Sequence, residues 1–285
     1  MRLSVLGMGN MGHALASQLL ERGYDLTVWN RTVGKADDLV QRGAVGATTL
    51  EEAVQGAEVV LLSLTNDAAV RAVALDGGVA GGLPSGSVLV DMSTVAPETS
   101  RALGAAVPIG SFIDAPVLGG PHSFQTGKAK LLLGGDRAVI ERLDPLWDDL
   151  SAGHYYTGEN GTATTLKLLS NLILVGGTQL LMEAVATAQA HGFPDDILRD
   201  VFGGSPAVAP GVQVRLEDVL HGDHDGWWTL KLADKDLGLA LKLAQSVGLD
   251  LPLTRAGEQL LARSIDAGYG EKDLGAMMNV LREKT

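Results

Sequence analysis

Residues 3–12 read LSVLGMGNMG and place the glycine pattern GxGxxG directly after a short apolar run. A helical pattern over 11–21 follows at once, so the glycines lie in a predicted strand–turn–helix unit. In such a unit Gly7 permits the tight turn, Gly9 lets a pyrophosphate approach the backbone, and Gly12 lets the helix pack on the strand. The helix N-terminus offers N–H groups to the phosphates. We therefore predict a dinucleotide-binding turn formed by Gly7, Met8, Gly9, Asn10, Met11 and Gly12.

The first half of the chain alternates short apolar runs with helical patterns. The runs at 3–6, 26–29, 59–64 and 88–91 are rich in β-branched residues and show little alternation, as is typical of strands buried on both faces. Their spacing predicts βαβ units and a doubly wound sheet. Residues 111–117 and 129–133 are candidates for two further strands. The predicted fold class is α/β, with a Rossmann-type N-terminal domain.

The pattern changes near residue 160, where we place the domain boundary. Residues 162–190 contain no proline, and Gly192 and Pro194 follow them, which predicts one long helix. This helix is apolar around most of its circumference, so we expect it to be buried between domains or subunits. Its Gly176–Gly177 pair would let another helix approach closely. Helical patterns without strands follow at 195–202, 212–220, 228–247, 253–266 and 274–282. The predicted domains are 1–160, which binds the nucleotide, and 161–285, which is all-helical.

Composition and charge exclude several classes of protein. The chain has 22 basic and 34 acidic side chains, a formal net charge of −12, and 46% hydrophobic residues. The apolar content excludes intrinsic disorder, and the acidity argues against nucleic acid as a main partner. Without cysteine there is no disulfide, thiolate metal site or cysteine nucleophile. Among the histidines only His221 and His224 are spaced for a metal, and we interpret 221–225 as a polar loop, so we predict no metal.

We expect neither a membrane span nor a signal peptide. No apolar stretch is expected to reach the roughly 20 residues that a span needs. The N-terminus runs directly into the first strand pattern and lacks a charged leader, a long apolar region and a cleavage site. The expected location is the cytoplasm.

The end of the second predicted strand indicates which dinucleotide is bound. Residues 28–32 read VWNRT, so Asn30 stands where an NAD-binding protein usually carries an acid for the ribose 2′-hydroxyl. Without that carboxylate a 2′-phosphate is not repelled, and the planar guanidinium of Arg31 matches a phosphate. We predict NADPH over NADH, with contacts from Asn30, Arg31 and Thr32, and with Arg31 as the main discriminator.

Further motifs occur in a fixed order along almost the whole chain. After GMGNMG come LT at 64–65, DMSTVAP at 91–97, DAPVLGG at 114–120, GTATTLKLLSN at 161–171 and LKLADKDLGLA at 230–240. Together they resemble the β-hydroxyacid dehydrogenase family. That family includes 3-hydroxyisobutyrate dehydrogenase, tartronate semialdehyde reductase, glyoxylate and succinic semialdehyde reductases and, more distantly, imine reductases. The resemblance implies an NADP(H)-dependent oxidoreductase, related to 6-phosphogluconate dehydrogenase, whose helical second domain closes over the nicotinamide.

The resemblance also implies roles for particular residues. The implied cofactor contacts are Leu64, Thr65, Thr94 and Lys235, and the implied substrate contacts are Ser93, Leu118, Gly119, Gly120 and Asp236. Leu118 departs from the family, because relatives commonly carry a serine there that holds the substrate carboxylate. With an isobutyl group at this position, a bulkier or less polar carbonyl compound, or an imine, becomes more plausible as the substrate.

The segment 161–171 carries the predicted chemistry. Lys167 and Asn171 are four residues apart and share one face of the long helix. The family pattern implies that the Lys167 ammonium donates a proton to the carbonyl oxygen as hydride arrives, and that Asn171 orients the substrate. Ala163 and Ser170 differ from that pattern. Imine reductases usually lack the lysine, which favours the hydroxyacid dehydrogenases.

Two other functions remain open, an imine reductase and a non-catalytic NADP(H)-sensing protein. The long apolar helix also leads us to expect a homodimer built on the helical domain.

Overall fold

A computed structural model describes residues 1–108 and 110–283 and divides the chain into two compact units, Met1–Lys167 and a second that begins at Leu168. The predicted boundary at residue 160 stays a prediction.

The first unit is built on one mixed sheet. Within the described residues it has nine strands: β1 (Arg2–Leu6), β2 (Asp25–Trp29), β3 (Val45–Gly46), β4 (Val59–Leu62), β5 (Val88–Asp91), β6 (Phe112–Asp114), β7 (Val117–Leu118), β8 (Lys130–Gly135) and β9 (His154–Gly158). The strands from β3 to β6 lie parallel in the order β3-β2-β1-β4-β5-β6, which is the Rossmann order. Strand β8 runs antiparallel to β6 and β7 and parallel to β9. The predicted Rossmann-type fold is confirmed.

Eight α-helices accompany this sheet in the described part of the first unit, and a π-helical segment, Ala72–Asp76, directly follows the fourth. The α-helices are α1 (Asn10–Glu21), α2 (Asp37–Gln41), α3 (Leu50–Val54), α4 (Asp67–Arg71), α5 (Pro97–Ala106), α6 (Pro121–Gln125), α7 (Arg137–Arg142) and α8 (Asp144–Leu150). Side chains cap the N-termini of two of these helices: Thr49 forms a capping box with Glu52 at α3, and Asn66 caps α4. The sequence patterns missed α6, α7, α8, β3 and β9, all of which are short. The predicted strand over 111–117 is two strands, β6 and β7.

The apolar runs are continuous because both faces of the sheet are covered. Val5, Val59 and Val90 join a core cluster on the face of α1. Residues adjacent to these along the strands, such as Leu6, Val60 and Leu89, join a second cluster on the opposite face. Since strand side chains alternate between faces, a strand of a covered parallel sheet carries mostly apolar residues at successive positions.

Within its described residues the second unit consists of helices and the loops that connect them, with one isolated bridge between Thr229 and Asp273. Its helices are α9 (Thr162–Ala190, which begins in the first unit), α10 (Asp195–Gly203), α11 (Pro210–Gln213), α12 (Leu216–His221), α13 (Leu230–Ser246), α14 (Pro252–Ser264) and α15 (Met277–Arg282). The bounds predicted for α9 are confirmed. The single helix predicted over 212–220 was wrong, because the chain leaves the helix between Gln213 and Leu216.

Helix α9 is only partly buried in the single chain. Val175, Met182 and Val185 are buried in the core of the second unit, whereas Ile173 and Leu180 are 69% and 64% exposed. The predicted close approach of a helix occurs at Gly177, where an added Cβ would lie 3.0 Å from Val212 of α11.

The expectation that no stretch is long and apolar enough for a membrane span was wrong for α9. This helix meets both criteria, and 44% of its most apolar window is buried. The helix carries one lysine and one glutamate along its 29 residues, so a long window within it contains few charges. Length and composition alone do not distinguish such a helix from the central helix of a folded domain.

Candidate active site

The predicted phosphate-binding turn connects β1 to α1. Gly7 has φ +104°, and an added Cβ would lie 2.3 Å from the carbonyl oxygen of Ser63. At Gly12 an added Cβ would lie 1.9 Å from the carbonyl oxygen of Gly7. At Gly9, by contrast, an added Cβ meets no atom within 4 Å among the described residues. Two glycines therefore serve internal packing, while the middle glycine leaves an open approach to the backbone. Sequence reasoning missed Ser63.

This difference predicts opposite results for two alanine variants. Gly12→Ala should lower the free energy of unfolding by about 1–3 kcal/mol, because a methyl group would overlap the Gly7 carbonyl. Gly9→Ala should leave the stability of the cofactor-free protein unchanged but weaken dinucleotide binding at least about tenfold, since it blocks the phosphate approach. Urea unfolding and fluorescence titration measure the two effects. Equal stability of Gly12→Ala and the unsubstituted protein would contradict the packing argument.

Asn30 braces the turn from the end of β2. Its Oδ1 accepts a hydrogen bond from the Met8 backbone N–H at 3.0 Å, and its Nδ2 donates to the Thr32 carbonyl at 3.0 Å. Both the oxygen and the nitrogen of the side-chain amide are thus engaged with the backbone. The neighbouring Arg31 and Thr32 are exposed. Asn30 therefore shapes the turn, while the Arg31 guanidinium is accessible to a ligand.

The loops after β4 and β5 are joined by one side chain. The Leu64 N–H donates to Ser93 Oγ at 2.9 Å, and the Ser93 N–H donates to Oδ1 of Asp91 at 2.9 Å. Thr65 is exposed and Thr94 partly exposed beside them. Four predicted contact residues, Leu64, Thr65, Ser93 and Thr94, therefore lie in two linked loops. The bracing by Asp91 was not predicted, although that residue opens the DMSTVAP motif.

These loops fit a nicotinamide dinucleotide. The carboxyl ends of β1, β2, β4 and β5 lie at one edge of the parallel sheet, where the strand order reverses beside β1. Open α/β sheets bind their ligands at such a switch point. The open backbone at Gly9 and the accessible Arg31 occupy this edge. These residues would hold the diphosphate and the adenosine end of the cofactor.

The start of α9 is held by a buried carboxylate. Asp114, the last residue of β6, accepts hydrogen bonds from the Gly161 N–H at 3.0 Å and from the N–H and hydroxyl of Thr164, each at 3.1 Å. Burial raises the pKa of Asp114, and these hydrogen bonds oppose the increase. Thr164 Oγ1 also lies 2.8 Å from Ser100 Oγ on α5. The helix that carries Lys167 is thereby fixed to both β6 and α5.

Gly161 allows this contact. It has φ +91°, and an added Cβ would lie 3.1 Å from the Pro97 carbonyl oxygen. Three of the motifs, beginning at Asp91, Asp114 and Gly161, therefore meet at the first turn of α9. Lys167 lies in the second turn and is partly buried.

A second group of predicted residues lies in the helical unit. Asn171 Nδ2 donates to Oδ2 of Asp236 at 2.7 Å, and both side chains are buried. The Lys235 ammonium lies 3.0 Å from Oδ1 of the same carboxylate. The structure thus brings Asn171, Lys235 and Asp236 together, and the carboxylate fixes the orientation of the Asn171 amide.

The loop at 118–120 depends on a residue that the sequence analysis did not select. Gly119 has φ +141°, and an added Cβ would lie 2.3 Å from Ser123 Oγ. Ser123 Oγ donates to the Gly120 carbonyl at 2.6 Å. Leu118, the last residue of β7, is partly buried. Ser123 therefore holds the two glycines in place beside the Leu118 side chain.

His221 ends α12, and residues 222–225 form a loop that is held internally. The His224 ring Nδ1 lies 3.1 Å from Asp218 Oδ2, and the histidine is buried. The described residues contain no group of three histidine, aspartate or glutamate side chains placed to hold a metal ion.

Two known sequence families match consecutive parts of the chain. The family described as "NAD binding domain of 6-phosphogluconate dehydrogenase" matches residues 2–158. The family described as "NAD-binding of NADP-dependent 3-hydroxyisobutyrate dehydrogenase" matches residues 161–281.

Individual proteins match over almost the full length. Glyoxylate/succinic semialdehyde reductase 1 of Arabidopsis thaliana is 29% identical, over 99% of this chain and 99% of that protein. The structure of 3-hydroxyisobutyrate dehydrogenase from Salmonella typhimurium has a TM-score of 0.89 at 26% identity, over 98% of this chain and 99% of that one. An imine reductase from Streptomyces aurantiacus has a TM-score of 0.64 at 26% identity, over 99% and 100%.

Proposed function

We propose that this chain, which belongs to the β-hydroxyacid dehydrogenase family, reduces or oxidises a small carbonyl or hydroxy-acid substrate with NADP(H) as the hydride carrier. Membership makes it an NAD(P)-dependent oxidoreductase acting on CH–OH groups. One observation carries the proposal. Helix α9, which carries Lys167 and Asn171 on one face, is hydrogen-bonded at its N-terminus to the Asp114 carboxylate. Asp114 is the first residue of the segment 114–120, which is proposed to bind substrate.

In the proposed mechanism Lys167 handles the proton. A nicotinamide held by the loops after β4 and β5 would supply the hydride to the carbonyl carbon in reduction and accept it back in oxidation. As the carbonyl oxygen gains negative charge, the Lys167 ammonium donates a proton to it from Nζ, and in oxidation the neutral amine takes the proton back from the hydroxyl group. Asn171, oriented by Asp236, places the substrate oxygen. The backbone N–H groups of Gly119 and Gly120 bind the anionic end of the substrate.

The substrate class is tested directly by turnover. A panel of glyoxylate, succinic semialdehyde and a cyclic imine is followed by NADPH absorbance, with NADH in parallel. Reduction of the aldehydes supports the proposal. Preferential reduction of the imine would establish an imine reductase, and the isobutyl group of Leu118 beside Gly119 is the feature that favours a less polar substrate. Tight NADPH binding without any turnover would instead indicate a nucleotide sensor.

Cofactor preference should depend on Arg31. This side chain is exposed at the end of β2, next to an asparagine rather than an acid, so its planar guanidinium is available to a 2′-phosphate. Arg31→Ala should raise the KM for NADPH about tenfold or more, which corresponds to loss of one charge-assisted phosphate contact, and change the KM for NADH little. Arg22 is also exposed but lies at the C-terminal end of α1, away from the glycine turn, so Arg22→Ala is the control substitution. Equal effects of Arg31→Ala on both cofactors would refute this assignment.

We also propose a homodimer formed through α9. Ile173 and Leu180 point away from the core of their own unit, and an added Cβ at Gly176 between them meets no described atom within 4 Å. A second copy packed there would bury this apolar stripe. Light scattering at micromolar concentration should give twice the 29.6 kDa chain mass, and Ile173→Glu should shift the protein towards monomer. A monomer at that concentration would refute the proposal.

A further inference from the structure

Asp91 is a buried carboxyl group that is only half satisfied. It is the last residue of β5, and its side chain is 1% exposed. Oδ1 accepts the Ser93 N–H at 2.9 Å, whereas Oδ2 has no hydrogen-bond partner among the described residues. Leaving a polar atom buried without a partner costs stability, so such an atom calls for a functional explanation.

The surroundings of Asp91 disfavour its charged form. The neighbouring strand β4 carries no ionisable side chain, β6 contributes Asp114, and α4 contributes Asp67. On α5, Glu98 and Arg101 pair with each other at the surface, with their charged atoms 2.7 Å apart. Burial raises the pKa of Asp91 to about 7, hydrogen bonds from Ser93 oppose the increase, and the charges of Asp114 and Asp67 add to it.

Asp91 nevertheless holds the connection between two loops. Ser93, fixed by Asp91, accepts the Leu64 N–H through its hydroxyl oxygen at 2.9 Å. These loops contain Leu64, Thr65 and Thr94, which are proposed to contact the cofactor. We infer that the carboxyl group of Asp91 is a positioning residue for cofactor binding and acts through Ser93. The inference rests on the proposed function, because it concerns the same cofactor.

The charge state of Asp91 should change how firmly the loops are held. An ionised carboxylate is a stronger acceptor than a neutral acid for the N–H and hydroxyl of Ser93. Cofactor binding to the ordered loops therefore favours the ionised form, and by linkage it lowers the pKa of Asp91. Affinity for the cofactor is therefore greater above about pH 7, where Asp91 is ionised, than below it.

The test measures binding and needs no substrate. The Kd of NADPH is determined by fluorescence from about pH 5.5 to about pH 8.5 for the unsubstituted protein and for Asp91→Asn, which is close in shape but carries no charge. The ratio of the two Kd values cancels the titration of the 2′-phosphate itself. We expect the Kd of Asp91→Asn divided by the Kd of the unsubstituted protein to be near one at the lowest pH and about ten at the highest. The exposed Asp148→Asn is the matched control, with a ratio near one throughout.

A ratio for Asp91→Asn that does not change with pH would overturn the inference, since a purely structural role would not depend on protonation. If Asp91→Asn does not fold, Ser93→Ala provides the second test. It removes the acceptor of the Leu64 N–H and should raise the Kd about tenfold, and an unchanged Kd would again overturn the inference. Absence of NADPH binding by the unsubstituted protein at every pH would refute the proposed function instead, so the two failures are distinguishable.

Discussion

Replacement of Lys167 by alanine is expected to lower kcat by about 10²- to 10⁴-fold, the usual contribution of a general acid–base group. The ammonium would otherwise neutralise the negative charge that develops on the carbonyl oxygen. The Kd for NADPH should change little, because the phosphate-binding turn, Arg31 and the linked loops remain intact. Steady-state kinetics on whichever substrate the panel identifies, together with a fluorescence titration of NADPH, measure the two quantities.

Lys242→Ala is the matched control for this variant. Lys242 is an exposed lysine on α13, and its removal should leave kcat unchanged. Retained kcat in Lys167→Ala would exclude this lysine from the proton transfer. A parallel loss of NADPH affinity would indicate instead that the side chain acts by holding the cofactor.

Asp273→Ala is expected to lower the free energy of unfolding by about 3–5 kcal/mol, because it removes one partner of a buried ion pair. Asp273 Oδ1 accepts a hydrogen bond from Arg215 Nε at 3.2 Å, and the two side chains are 9% and 8% exposed. Oδ2 accepts the Trp228 N–H at 3.1 Å. The variant therefore leaves the Arg215 guanidinium buried without its carboxylate and a backbone donor without its acceptor. Urea unfolding monitored by tryptophan fluorescence measures the change.

The exposed pair of Arg255 and Asp250 supplies the comparison. Because solvent screens such a pair, Arg255→Ala should leave the urea midpoint unchanged within error. If Asp273→Ala unfolds at the same urea concentration as Arg255→Ala, the buried pair contributes no more to the free energy of unfolding than the exposed pair does, contrary to this prediction.

The elements that could be predicted were those with long or locally determined patterns. Helix α9 has the predicted bounds because 29 residues without proline, followed by Gly192, constrain both ends. Strand β9, HYYTG, has no apolar run, because its residues are partly or fully exposed. The break between Gln213 and Leu216 lies inside a helical pattern and became visible only in the packed structure.

The Rossmann-type domain, the glycine turn and the identity of the candidate residues follow from the amino-acid order alone. Glycine spacing and apolar periodicity are local properties, so they can be recognised before the chain folds. How these residues are held depends on the packed fold, which pairs Asn30 with Met8, Ser93 with Leu64, Asp114 with the start of α9, and Asp236 with Asn171. These partners are separated by 22 to 65 residues along the chain, and buried polar groups find such partners only when strands and helices pack together.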